Sequence, residues 1–170
     1  MTDISQFYYE LKTKSTIADS LLTIAKTAPE SKWFTSTEQS LILLDNDTVC
    51  QDPVLVDFID KFDPENRIMI LRTQPNTAYS WHRDMNRFAS INMLLEKTDS
   101  LTMFGLNGDN PRQMLDLVKV PYPPNTFVLM NVSERHAVYN FNQVRYMFSL
   151  SVPKPHTYTT ARNYLIDSGY

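Results

Sequence analysis

His82 and Asp84, separated by one residue in Trp81-His82-Arg83-Asp84, are the first pair in this 170-residue chain whose types and spacing could do chemistry. Side chains at i and i+2 of an extended segment project to the same side, so an imidazole and a carboxylate here can converge on one ion while Arg83 looks elsewhere. Two histidines and one carboxylate occupy one face of an octahedron and leave the opposite positions open, which is the donor set of a non-haem iron site. A third ligand is then required. The chain has three histidines, so the candidates are His136 and His156. His-x-Asp also arises by accident, and its plainer reading is a loop in which Asp84 caps a turn, or pairs with Arg83 or Arg87, beside a partly exposed His82.

The later neighbours add a pattern. Asn131 to Asn140 and Val144 to Val152 read as two apolar strand-like runs joined by a polar turn around Phe141-Asn142-Gln143. This hairpin carries His136 and Arg145. Alternation through Val144–Val152 puts Arg145, Met147, Ser149 and Ser151 on one face, and Val144, Tyr146, Phe148, Leu150 and Val152 on the other. Arg145 therefore lies on the more polar face, although a solvent-facing strand arginine is an ordinary alternative. The strand Phe88–Leu95 likewise places Ser90 and Asn92 on one face.

Taken in order, His82, Asp84, His136 and Arg145 resemble the pattern of the Fe(II)/2-oxoglutarate-dependent dioxygenases: His-x-Asp, a distant His, and an Arg or Lys about ten residues later. The resemblance spans residues 67 to 152 and includes the turn Pro121-Tyr-Pro-Pro-Asn125 ahead of the strand Thr126–Met130. His136-Ala-Val-Tyr-Asn140 is similar to the His-x-Val segment of prolyl hydroxylase-like and aspartyl/asparaginyl hydroxylase-like members. The resemblance implies iron(II) held by His82, Asp84 and His136, with 2-oxoglutarate as cosubstrate and its far carboxylate in the planar fork of Arg145. It gives Asn92 and Tyr79 as further hydrogen-bond partners of a cosubstrate carboxylate and Val138 as a wall for its methylenes. Each of these has an everyday alternative in strand polarity or core packing.

The implied reaction is hydroxylation of a C–H bond in a peptidyl residue or free amino acid, with succinate and carbon dioxide as coproducts and ascorbate as a candidate reductant. Two other readings stay open: a cupin-like metalloenzyme that does not use 2-oxoglutarate, and a non-catalytic jelly-roll module that binds a ligand. Arg72 and Arg87 can meet an acidic substrate group, but solvation at the surface is the simpler expectation. Methionines such as Met69, Met93, Met103, Met130 and Met147 read as core filler, since a thioether is a soft donor for this kind of site. His156, between Pro155 and Thr157, has no strand context and stays outside the site, and Cys50 sits in a polar loop.

Composition bounds the frame that must position these residues. A length of 170 residues suits a single domain, with 42% hydrophobic and 12% aromatic residues for a folded core. No apolar run approaches the ~18 residues of a membrane span. The first residues lack the basic and apolar regions of a secretory signal. One cysteine excludes an intrachain disulfide and fits a reducing compartment, the cytoplasm by default. A net charge of −3 gives no electrostatic reason to expect nucleic acid as a partner. The expected partner is a small-molecule or peptide substrate, and the oligomeric state is not readable. With three glycines, turns must rely on Asn, Asp and the ten prolines.

Along the chain, Phe7–Leu11 reads as an outer strand or the start of a helix. Ser15–Lys26 has helical spacing, with Ser15 or Thr16 as N-cap. Ser40–Asp45 reads as a buried strand. Pro53–Phe62 reads as a second helix capped by Asp52, with Pro64 past its end. After Asn66 come strands at 67–72, 88–95, 100–104, 116–120, 126–130, 136–139 and 144–152, then a tail with a short helix from about Thr159. Helices followed by strands give an α+β chain. The expected architecture is a double-stranded β-helix, a jelly-roll or cupin-like barrel of about eight strands, with N-terminal helices packed on one sheet. Residues 1–66 would support it, 67–152 would form the core with the metal site, and 153–170 would be the tail. So short a barrel leaves little chain for a lid, which points to an open site.

Overall fold

The computed structural model describes residues 3–36, 39–62, 67–107 and 114–170, with the backbone alone at 106–107 and 114–116. In chain order the elements are β1 (Tyr8–Lys14), α1 (Ala18–Thr27), β2 (Phe34–Thr35), β3 (Ser40–Leu43), α2 (Asn46–Val49), α3 (Pro53–Phe62), β4 (Ile68–Thr73), β5 (Thr77–His82), β6 (Arg87–Leu94), β7 (Leu101–Asn107), β8 (Met114–Lys119), β9 (Thr126–Met130), β10 (His136–Asn140), β11 (Arg145–Pro153) and α4 (Tyr158–Asp167).

The strands form two antiparallel sheets. A seven-stranded sheet runs β1-β9-β6-β11-β4-β3-β2 and a four-stranded sheet runs β5-β10-β7-β8. Strands β4 to β11 divide four and four between the sheets, which is a double-stranded β-helix in an α+β setting. Strand β1 extends the larger sheet at one edge, and the β2–β3 hairpin extends it at the other. Asn76 (φ 55°) and Asn125 (φ 57°) take the left-handed positions of two connections, as expected of a chain short of glycine.

The helices cover the outer face of the larger sheet. Apolar residues at helical spacing are buried in α1 (Ala18, Leu21, Ala25), α3 (Val54, Leu55, Phe58, Phe62) and α4 (Tyr158, Ala161, Leu165). They pack in one core with Ile68, Ile70, Ile91, Met93, Phe127, Leu129, Phe148 and Leu150 from the sheet. The C-terminal helix thus belongs to the same layer as the N-terminal helices. A second cluster, Phe7, Phe104, Val120, Val128, Met130 and Val132, fills space between the sheets.

Asp52 ties two helix starts together. Its side chain is buried; Oδ1 accepts from the Val54 amide at 3.0 Å, while Oδ2 accepts from the Thr16 amide at 2.8 Å and the Ser15 hydroxyl at 2.9 Å. The expected capping of α3 by Asp52 is present. The expected capping of α1 by Ser15 or Thr16 is not, because both are drawn to Asp52 and the helix begins after Ile17, which makes no side-chain cap bond. Pro64 and Asn66 lie outside the described residues. Two strands go beyond those read from the sequence: β2 has only two residues, and β5 has the mixed burial of a short edge strand. No described helix is long and apolar enough to cross a membrane.

Candidate metal centre and its cavity

His82 ends β5 and His136 begins β10, and the antiparallel register sets these two residues directly opposite each other. Their ring centroids are 4.2 Å apart. Asp84 lies two residues beyond β5, where its amide donates to the Val132 carbonyl at 2.9 Å and turns the chain back toward β10. Asp84 Oδ1 is consequently 3.3 Å from His82 Nε2 and 3.9 Å from His136 Nε2. The three candidate donor atoms lie within 4.8 Å of one another.

Backbone carbonyls fix the imidazoles. His82 Nδ1 is 2.7 Å from the Ser80 oxygen, and His136 Nδ1 is 2.9 Å from the Glu134 oxygen. A carbonyl oxygen only accepts, so each Nδ1 carries a proton and each Nε2 faces Asp84. Arg87 fixes the carboxylate: its Nε donates to Asp84 Oδ2 at 2.6 Å and its Nη1 to the Ser151 hydroxyl at 2.8 Å, leaving Oδ1 toward the histidines. With Nε2 unprotonated, the two imidazole nitrogens and a carboxylate oxygen converge as electron-pair donors. A cation between them relieves that opposition, and outer partners of this kind orient metal ligands in general. The donor set fits a divalent ion that accepts nitrogen and oxygen.

Burial alone would raise the Asp84 carboxyl, but the His82 contact and the Arg87 charge outweigh it and bring the pKa down to about 2. Burial lowers the pKa of His136, partly offset by the bond from its ring to the Glu134 carbonyl. Both shifts favour the protonation states that bind metal.

The three residues line a cavity of about 150 Å³ between the sheets, together with Tyr79, Asn92, Thr102, Tyr122, Val138 and Arg145. Its walls follow strand alternation. In β11, Arg145, Met147 and Ser149 face inward while Phe148 and Leu150 face the helix layer. In β6, Ser90 and Asn92 face inward while Ile91 and Met93 face out.

Arg145 is only 4% exposed. Its Nη2 donates to the Thr102 hydroxyl at 3.0 Å, its Nε has no hydrogen-bond partner, and its guanidinium lies 5.8 Å from the centre of the Tyr122 ring. Among the described residues no carboxylate forms an ion pair with it. Burial pulls its pKa down and pushes that of Tyr122 up. A buried, partly unsatisfied cation of this kind is costly unless an anion joins it, so the cavity fits a carboxylate at this end.

Of the other residues singled out in the sequence, Asn92 and Val138 line the cavity, but the Asn92 amide nitrogen is engaged by the Ser90 hydroxyl at 3.0 Å and Met130 Sδ at 3.1 Å. Tyr79 packs edge-on against His82, with centroids 4.1 Å apart. The expectation of solvated Arg72 and Arg87 is corrected. Arg72 is 9% exposed, makes a two-pronged pair with Glu30 and stacks on Trp33, and Arg87 is held between Asp84 and Ser151. His156 packs against Phe62, away from the cavity, and Cys50 is exposed. Met130 and Met147 line the cavity rather than the helix-covered core.

Sequence reasoning did not reach Tyr122 or Thr102. Thr102 carried a usable signal, since it is a polar residue between apolar Leu101 and Met103 and faces inward. Tyr122 sits in an irregular proline-rich loop, where alternation gives no direction.

No family model and no curated protein matches the sequence. Solved structures do match. A prolyl-4-hydroxylase from Pseudomonas putida superposes with a TM-score of 0.65 at 13% identity, covering 91% of this chain and 96% of that one. A prolyl hydroxylase from Trichoplax adhaerens, in complex with a hypoxia inducible factor oxygen degradation domain peptide fragment, gives 0.62 at 11% identity, covering 86% and 83%. An oxidoreductase of the 2OG-Fe(II) oxygenase family from Burkholderia pseudomallei gives 0.55 at 14%, covering 89% of each chain. The likeness is one of fold.

Proposed function

We propose that this chain, which has the double-stranded β-helix fold of the 2-oxoglutarate/Fe(II) oxygenases, is a single-domain cytoplasmic member of that superfamily. Its reaction in this reading is hydroxylation of a C–H bond in a peptidyl residue or free amino acid. The observation that carries the reading is the pairing, in one small cavity, of the His82/Asp84/His136 cluster with the buried guanidinium of Arg145.

His82, Asp84 and His136 would hold iron(II). Bound iron with 2-oxoglutarate supplies the oxidising chemistry, in which the cosubstrate leaves as succinate and carbon dioxide. The chain's own share is binding and orientation. Arg145 and the Thr102 hydroxyl beside it receive the far carboxylate of 2-oxoglutarate, with Tyr122 as the flat wall under the guanidinium. Val138 offers an apolar surface for the methylenes. Arg87 keeps Asp84 turned so that one oxygen faces the ion. The Ser80 and Glu134 carbonyls keep both Nε2 atoms in the metal-binding tautomer. No side chain has to act as a general base.

A peptide substrate is supported by the Trichoplax relative, which is in complex with a peptide. A cupin-like metalloenzyme without 2-oxoglutarate, or a ligand-binding module, needs some other anion to meet the Arg145 cation. The test is succinate release from 2-oxoglutarate with Fe(II) and ascorbate, alongside calorimetric binding of Mn(II) and then 2-oxoglutarate. Wild type should do all three, His136→Ala should lose metal, and Arg145→Ala should keep metal but lose 2-oxoglutarate. Metal binding without 2-oxoglutarate binding in wild type would move the protein to the cupin reading, and no metal binding would move it to the module.

A further inference from the structure

A second, wider depression opens outside the metal ligands. It has a volume of about 530 Å³ and shares Tyr79, His82, Asp84 and Arg87 with the inner cavity. Its charged lining consists of Arg67, Arg83, Arg87 and Asp84. Asp84 is already matched by Arg87 at 2.6 Å. Among the described residues, two cations are left facing the groove with weak internal partners. Arg67 is exposed and donates to the Asn86 carbonyl, a neutral acceptor, at 3.3 Å. Arg83 approaches Glu134 at 3.9 Å with side-chain exposures of 58% and 46%, a pair at the outer limit of contact that contributes little. A positive mouth on a chain of net charge −3 is a local feature set against the overall field, and a concave surface focuses it.

We propose that this groove takes an acidic polypeptide segment, whose carboxylates pair with Arg67 and Arg83 while the residue to be oxidised reaches the metal ligands. The proposal rests on the oxygenase reading for its purpose and supplies the substrate class which that reading leaves open. Three observations favour an extended chain over a free amino acid. The outer groove is more than three times the volume of the inner cavity. Apolar Leu41, Met69 and an 84%-exposed Met85 stand among the cations, so acidic and apolar side chains in alternation find matching partners. Strand β5, which sends Tyr79 and His82 to the groove, lies at one edge of its sheet and can pair with an added strand.

The experiment compares fluorescein-labelled short peptides, one alternating aspartate with alanine around a central proline and one with asparagine in place of aspartate, with unlabelled free aspartate as competitor. Anisotropy is read on the metal-free protein and on protein loaded with Mn(II) and 2-oxoglutarate. The aspartate peptide is expected to bind about three- to tenfold tighter than the asparagine peptide, the range of two exposed charge pairs. That preference should shrink between about 0.05 and 0.2 M salt. It should vanish in the Arg67→Gln/Arg83→Gln double variant, whose thermal shift with Mn(II) and 2-oxoglutarate stays at the wild-type value. Arg67→Glu alone, at an exposed position, provides a second reading if the double variant folds poorly, and it should at least halve the preference.

Equal affinity for the two peptides, or a preference that survives both variants, overturns the proposal. Free aspartate competing as well as the peptide overturns the polypeptide occupant. Loss of the 2-oxoglutarate shift in wild type would instead sink the oxygenase reading, and the peptide preference on metal-free protein is judged independently of it.

Discussion

Replacing Arg145 with methionine separates what the residue does for function from what it does for stability. The guanidinium is 4% exposed, with a bond to Thr102, a polar contact with the Tyr122 hydroxyl, an unpartnered Nε and no carboxylate paired to it among the described residues. Desolvating such a cation costs several kcal/mol, whereas the contacts it makes return about 1–3 kcal/mol. A thioether of similar length removes the first term and forfeits the second, so Arg145→Met should be as stable as wild type or more stable without ligand, by about 0–3 kcal/mol. For a chain of this size each kcal/mol moves the midpoint by about 2–4 °C, which gives a rise of up to about 12 °C. Binding should go the other way. A carboxylate in the guanidinium fork makes two charge-assisted bonds of about 1.5–3 kcal/mol each, so losing it should weaken 2-oxoglutarate by about 10²–10⁴-fold.

The assay is thermal unfolding of both proteins with Mn(II), with and without 2-oxoglutarate. At about 100 times its Kd the ligand adds about 2.7 kcal/mol, or about 5–10 °C, to wild type. The variant at the same concentration should shift by less than about 2 °C. A drop of the variant's unliganded midpoint by more than a few degrees would mean that Arg145 holds the fold together, and a retained ligand shift would mean that the carboxylate sits elsewhere. Either result refutes the reasoning.

Further outcomes follow from other contacts. Arg87→Met leaves all three ligands in place but frees Asp84 Oδ2 from its 2.6 Å bond, so Mn(II) affinity measured by calorimetry should fall about 10–100-fold. Burial lowers His136, so the unfolded chain takes up its proton first as pH drops below the ordinary value of 6.5; unliganded stability in urea should therefore decline below that point, and metal affinity should decline once the folded imidazole also titrates. Asp84 is held down at about 2 against an unfolded value of 3.8, so a second loss of stability is expected as pH falls from 3.8 toward 2, with none from this group above it. Asp52→Ala removes the α3 cap and strands the Ser15 and Thr16 donors, for a loss of about 2–4 kcal/mol in denaturant unfolding with little change in Mn(II) affinity.

The residue types and their order were enough to single out His82, Asp84, His136 and Arg145 through their resemblance to a known pattern, and alternation at period two, which survives in a linear string, put Arg145 on the polar face of its strand. The helix at Pro53–Phe62 and its Asp52 cap were legible for the same reason: capping and spacing act within a few residues. What the string could not hold was distance. Cross-strand register brings His136 opposite His82, a hydrogen bond from the Asp84 amide to the Val132 carbonyl turns Asp84 inward, and packing of both sheets buries Arg145; each depends on residues far apart in sequence. The same reason hid Tyr122 under Arg145, the burial of Arg72 against Glu30 and Trp33, and the double engagement of Asp52 that displaced the cap of α1. Sequence periodicity states which side of a strand a residue takes; only the closed pair of sheets decides what stands on that side to meet it.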